Sequence, residues 1–358
     1  MTIIPFEITN DGTLEKYYYD RKTVDLSPYI NIKRITRNAF KYCKSMEELV
    51  LPDRDLIIED GAFTECVNLE RIHCSSKLRS IEGNPFNNTK WLKTELSQKG
   101  YVRINGILLN LNTKDFTSFE KYPNLMDIER INASVFNSDQ SISTLSFKGM
   151  KNLKIIESYS FYHCSSLKSI DLEDCENISE IQNQTFAFCS NLTNVILPKS
   201  ITNIHAHAFR ETPWFNTLIH DISGIKMAVY DDMLIKFIDI YAQDANNNLM
   251  KALLSSWNHQ NQESINLNVL FPDIKTICSR AFEFSSITEI ILPDKLQCIK
   301  DYAFNSCTNL SKVIFPQGLK NIDNNAFSNC FKLDIDITTL PINTQISETS
   351  FNKEFYEI

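Results

Sequence analysis

Glycine is scarce: eight residues in a chain of 358, with no two closer than Gly100 and Gly106. That spacing builds neither a dinucleotide fingerprint nor a phosphate-cradling loop. Gly-x-Ser-x-Gly, Cys-x-x-Cys and His-Glu-x-x-His are missing as well, so no local frame for a nucleophile, a redox pair or a zinc protease exists. The expectation is a non-enzyme with no catalytic residue, no cofactor and no metal. No stretch approaches the roughly 18 consecutive apolar residues of a membrane span. Basic excess is missing too: 36 Lys and Arg stand against 44 Asp and Glu, a net charge of -8. A phosphate backbone would meet no general attraction, which argues against nucleic acid as a partner. The opening Met-Thr-Ile-Ile-Pro-Phe-Glu lacks a basic start, an apolar core and a small-residue cleavage site. A cytoplasmic protein is expected if Met1 is the true start.

What the chain has instead is a period. Phe40, Phe63 and Phe86 follow one another at 23 residues, each with an aliphatic residue five positions earlier and often a Cys three later. The frame Ile-x-x-x-Ala-Phe-x-x-Cys-x-x-Leu-x-x-Ile-x-Leu-Pro returns at Phe136, Phe161, Phe186 and Phe209, and again at Phe282, Phe304, Phe327 and Phe351. Eleven turns are legible. A period in the low twenties with one short apolar strand per turn predicts a solenoid whose units bury their hydrophobic face only by stacking on neighbours. In the turn from Cys189, Val195 and Leu197 alternate as a short strand and Pro198 ends it. Ile201, Ile204 and Phe209 then turn inward on irregular or short helical backbone. Six of the ten cysteines, Cys43, Cys66, Cys164, Cys189, Cys307 and Cys330, share one repeat position, as expected of a column of small buried thiols rather than disulfides.

These residues resemble the BspA-like leucine-rich-repeat proteins, whose repeat carries the same Ala-Phe-x-x-Cys-x-x-Leu-x-x-Ile-x-Leu-Pro signature; the resemblance covers about residues 31 to 351. It implies an α/β repeat solenoid, a curved coil with a parallel β-sheet on its concave side. It also implies a surface or secreted protein engaged in adhesion to a host extracellular or surface protein, several members being bacterial or protozoan surface proteins. The alternative is an intracellular protein-interaction scaffold.

Two interruptions break the period. Thr89-Lys-Trp91-Leu92 opens a stretch in which Asn105-Gly106 lies between apolar runs, and Thr212-Pro-Trp214-Phe215 opens a second running through Tyr230-Asp231-Asp232 to Ile235. Each predicts an inserted β-hairpin, about 89–112 and 212–237, with its Trp packing back onto the stack. An irregular turn is expected at about 240–270, an N-terminal cap at 1–30, the solenoid at 31–351 and a C-terminal tail at 352–358.

Function should lie on the outward strand positions: Glu48 and Val50, Arg71 and His73, Thr144 and Ser146, Ser169 and Asp171, Asn194 and Ile196, Glu289 and Ile291, Lys312 and Ile314. Such rows form an extended surface suited to a protein ligand. Val50, Ile196, Ile291 and Ile314 add an apolar row, and the hairpins are the competing site. His205 and His207 could be read as metal ligands, yet they fall in a variable slot and read as a solvated loop. Six Asn-x-Ser/Thr triplets, at Asn87, Asn132, Asn177, Asn183, Asn191 and Asn309, read as chance in a chain rich in these residues.

Overall fold

Every regular turn contains two short strands. The first is three residues long, such as Glu48–Val50, with its middle side chain Leu49 fully buried. Leu51 N–H still donates to His73 O at 3.0 Å, and Pro52, which has no N–H, ends the rung. The second strand is two residues long, such as Ile57–Ile58, and precedes the Phe. The computed structural model describes residues 5–78, 80–114, 116, 118–133, 135–222, 225–238, 264–335 and 340–351. Most of the irregular turn expected at 240–270, and the tail at 352–358, lie outside the described residues.

Between the two strands the backbone is mostly turn, with few helices. Two positions in the return carry positive φ, the residue two before the Phe and the residue two after it. Asn38, Tyr159, Tyr302 and Asn325 occupy the first; Tyr42, Glu65, His163, Ser306 and Asn329 occupy the second. Most of these are not glycine, so each pays a left-handed cost of about 1–2 kcal/mol that turn-to-turn contacts must offset. The contacts are regular. Phe304 N–H donates to Ala326 O at 2.7 Å, and Phe40 N–H to Ala62 O at 2.9 Å, so the Ala-Phe pair is itself a rung.

The chain divides into two compact units, Met1–Ile178 with Gln184–Ser200, and Ser179–Asn183 with Ile201–Ile358. In the first, Phe40, Phe63 and Phe86 stack with ring centroids 4.8 and 5.3 Å apart, and Phe136, Phe161 and Phe186 with 4.5 and 5.0 Å. In the second, Phe237, Phe282, Phe304, Phe327 and Phe351 continue the pattern at 4.8 to 5.2 Å. The spacing is that of neighbouring strands, so backbone period and ring stacking reinforce each other.

The repeated cysteine has a defined partner. Its Sγ donates to the Phe carbonyl one turn back: Cys66 to Phe40 O at 3.0 Å, Cys189 to Phe161 O at 3.0 Å, Cys307 to Phe282 O at 3.0 Å and Cys330 to Phe304 O at 3.1 Å. All ten thiols are free.

Both hairpins are present, and each is annexed to the two-residue ladder. In the first, Tyr101–Ile104 pairs antiparallel with Ile107–Leu111, which then pairs parallel with Arg130–Ile131. In the second, Ile219–Ile222, Ile225–Tyr230 and Met233–Ile238 form an antiparallel meander whose last strand pairs parallel with Thr276–Ile277. The N-terminal segment does the same: Phe6–Ile8 pairs with Thr13–Tyr17, which pairs parallel with Arg34–Ile35. Within that segment Thr23–Asp25 is already a three-residue strand, in register with Glu48–Val50. Trp91 meets Phe86 edge-on at 5.2 Å and Trp214 lies 4.5 Å from Phe209, sealing each insertion onto the preceding ring.

Candidate binding surface

With the middle residue of each three-residue strand turned inward, its first and third residues face out. The described residues form three separate three-stranded sheets of this kind. In the first, Thr23, Glu48 and Arg71 make one row and Asp25, Val50 and His73 the other. In the second, Thr144, Ser169 and Asn194 lie beside Ser146, Asp171 and Ile196. In the third, Ser264, Glu289 and Lys312 lie beside Asn266, Ile291 and Ile314.

Their chemistry differs. The first face is charged: His73 Nε2 lies 2.8 Å from Glu48 Oε1 and Arg71 Nε 3.6 Å from it. The hydrogen bond from His73, helped by Arg71, holds the Glu48 carboxyl below its usual range. The second face is a lattice of small polar groups, Asn194 Nδ2 donating to Ser169 Oγ at 3.0 Å and Ser146 Oγ to Asp171 at 3.3 Å, with Ile196 40% exposed at its edge strand. The third places Ile291 and Ile314 side by side, Ile314 being 44% exposed, next to Glu289 and Lys312. Among the described residues Val50, Ile196 and the Ile291–Ile314 pair thus belong to three different sheets.

The hairpin turn at Asn105 is pinned to the preceding coil: its Nδ2 donates to Ser75 O at 3.1 Å and Leu78 O at 2.9 Å. One other expectation changes. His205 and His207 are not a solvated loop. His205 lies 3.7 Å from Glu180 with a buried Nδ1 that has no hydrogen-bond partner among the described residues, and burial pushes His207 down to about 4. The two alternate around buried Ala206 in a rung that bonds to the next coil, Ala206 N–H donating to Ser279 O at 3.1 Å. Among the described residues no three metal-ligating side chains converge, and no helix is long and apolar enough to cross a membrane. Several asparagines of the Asn-x-Ser/Thr triplets serve the coil: Asn132 is buried and donates to Ile81 O, while Asn177 and Asn191 donate to Lys151 O and Ser165 O one turn back.

Sequence reasoning passed over Lys236, the one charge inside the apolar strand Met233–Ile238. A lone lysine in such a run was the available signal. It placed Thr89 and Thr212 at the openings of the two insertions without reading that they occupy the Cys slot of their turns.

The description "BspA type Leucine rich repeat region (6 copies)" fits residues 33–113, 112–232 and 256–356. No curated protein matches the chain. Among solved structures, a leucine-rich repeat protein of T. pallidum is 23% identical, covering 54% of this chain and 79% of its own, with a TM-score of 0.29. A leucine-rich cell surface protein of Faecalibacterium prausnitzii A2-165 is 17% identical over 97% and 83%, TM-score 0.32. The pneumococcal vaccine antigen PcpA is 15% identical over 92% and 74%, TM-score 0.28.

Proposed function

The chain belongs to the BspA-type leucine-rich repeat family, and from that premise we propose that it is a non-enzymatic protein-binding module whose ligand docks on the outward faces of the three-residue strands. One observation carries the reading. The inward middle residue of each strand, fully buried at Leu49, Ile170 and Ile290 and partly buried at Ile72, Val195 and Val313, holds the fold, while the residues flanking it differ from strand to strand, from the Glu48–Arg71–His73 cluster to the Ile291–Ile314 pair. Binding chemistry can therefore change without touching the core. Exposed aliphatic side chains bordered by Glu289 and Lys312 suit a protein surface better than a small solute. By the family resemblance the ligand would be a host extracellular or surface protein, bound in adhesion. The free buried thiols favour the second reading, an intracellular scaffold using the same faces.

The test is a photo-crosslinker at Lys312, followed by identification of the captured protein and titration of that purified partner. Ile314→Glu and Ile196→Glu should leave the melting curve unchanged and weaken binding about tenfold or more, as expected for exposed apolar contacts. Full binding by both variants, with loss on shortening residues 98–110, would move the site to the first hairpin.

A further inference from the structure

The second unit contains a cavity of about 440 Å³, bounded by the turn after Phe209, the last strand of the meander and the turn around Phe282. None of the outward strand faces takes part in it. Its charges do not balance. Arg280 lies 2.5 Å from Glu283, which also accepts from Asn305 Nδ2 at 2.9 Å, and Arg210 lies 3.9 Å from Glu211. Each arginine thus has its own carboxylate. His207, pushed down to about 4 by burial and then by Lys236 and the arginines, is neutral near pH 7. That leaves Lys236. Its ammonium has no ion pair or side-chain hydrogen bond with a described residue, although the strand carrying it buries Met233, Leu234, Ile235 and Phe237 on either side. Glu211 and Glu283 attract the ammonium only from beyond contact while each is paired to an arginine, so the side chains lining the cavity carry one positive charge in excess. A partly buried cation with no direct counter-ion is costly unless something supplies the charge. The remaining walls mix aliphatic side chains such as Ile219 and Ile238 with aromatic rings. Phe215 is buried against the cavity, and Phe284, held at φ 63 and 63% exposed, stands at its edge.

We propose that this cavity binds a small organic monoanion, its carboxylate or sulfonate pairing with Lys236 and its apolar body lying against Phe215 and Phe284. The volume suits a ligand with one ring rather than a polymer. A doubly charged anion would exceed the single uncompensated cation, and a neutral solute would leave it unpaired.

The probe is 4-fluorophenylacetate, followed by fluorine NMR on the full chain, with 4-fluorobenzyl alcohol as the uncharged counterpart. The acid should bind saturably at one site near pH 7 and the alcohol should not. Lys236→Met, which keeps the length and removes the charge, should weaken the acid about tenfold or more. A wild-type pH series gives an arm independent of any variant. Burial, with Arg210 next, pushes Lys236 down to about 8, while Glu211 and Glu283 oppose the shift and His207 and Arg280 face the same space. The acid is held by the ammonium, so its affinity should be flat from about pH 6 to 7 and fall about tenfold per unit above 8. Equal binding of acid and alcohol, binding of neither, retention by Lys236→Met, or a flat series to pH 9.5 would each overturn the proposal.

Discussion

At the scale of single residues, the fold depends on pairing many of its polar groups with partners one turn away. The repeated cysteine reads from sequence as a small apolar filler, and burial supports that. Yet its S–H also donates to a Phe carbonyl in the previous turn, which explains why the slot takes a weak donor rather than Ala or Val. Burial also pushes Cys175 and Cys278 up to about 12, so neither is a ready nucleophile. Asp301 is the opposite case. Its Oδ1 is buried without a hydrogen-bond partner among the described residues, and burial, then Asp323, raises its pKa. A carboxyl whose folded pKa exceeds the unfolded one favours the folded state fully below the unfolded pKa and loses that contribution as pH rises through the folded pKa. Asp301→Asn should therefore melt higher than wild type at pH 7, by about 0.5–1 kcal/mol for a half-exposed group. The gain should vanish as pH falls toward 4. Thermal melts at both pH values decide it, and a variant less stable at pH 7 would mean that the charge is used.

At the scale of elements, one substitution in the repeat frame marks each insertion. Thr89 and Thr212 stand three residues after Phe86 and Phe209, where most turns carry Cys. Both are fully buried. Each hydroxyl donates to the carbonyl of its own Phe at 2.8 Å and accepts a helix N–H at 3.2 Å, from Leu92 and Phe215. The swap turns a side chain that ties back to the previous coil into an N-cap that launches Lys90–Lys99 or Pro213–Asn216. Thr89→Val keeps the shape and removes both bonds, so it should cost about 1–2 kcal/mol in a urea titration with unchanged slope. A wild-type midpoint would make the swap incidental. The hairpins were legible because Asn105-Gly106 and Asp231-Asp232 interrupt apolar alternation, and Asn105 and Asp231 do take positive φ. Their direction was not legible. Periodicity cannot say that the second hairpin strand enters a parallel ladder, since that contact reaches from Met233 to Thr276 across the chain. The left-handed positions beside each Phe were hidden for another reason: Tyr42, Glu65 and His163 occupy them where glycine would have announced the turn.

At the scale of the molecule, the period revealed the stack and the inward residues, because each Phe, Leu and Ile of the frame meets its own counterpart one strand spacing away. The outward residues were placed on the correct side of their strands for the same reason, a two-residue alternation. Their grouping into three sheets, and the cavity around Lys236, depend on where the hairpins interrupt the coil, which no single repeat encodes. A stack with contacts only between neighbours makes a further demand: damage should stay local. Phe304 lies between Phe282 and Phe327 at 4.8 and 4.9 Å, and truncating it removes both ring contacts at a cost of about 3–5 kcal/mol. Hydrogen exchange on Phe304→Ala should then accelerate the ladder amides of Thr276–Ile277, Cys298–Ile299 and Asn321–Ile322 by about a hundredfold or more, as opening of those rungs becomes cheaper. Amides of Ser169–Asp171 and Asn194–Ile196, in the other compact unit, should keep wild-type rates. Equal acceleration in both units would mean that the chain opens only as a whole, and the nearest-neighbour account of its stability would have to be abandoned.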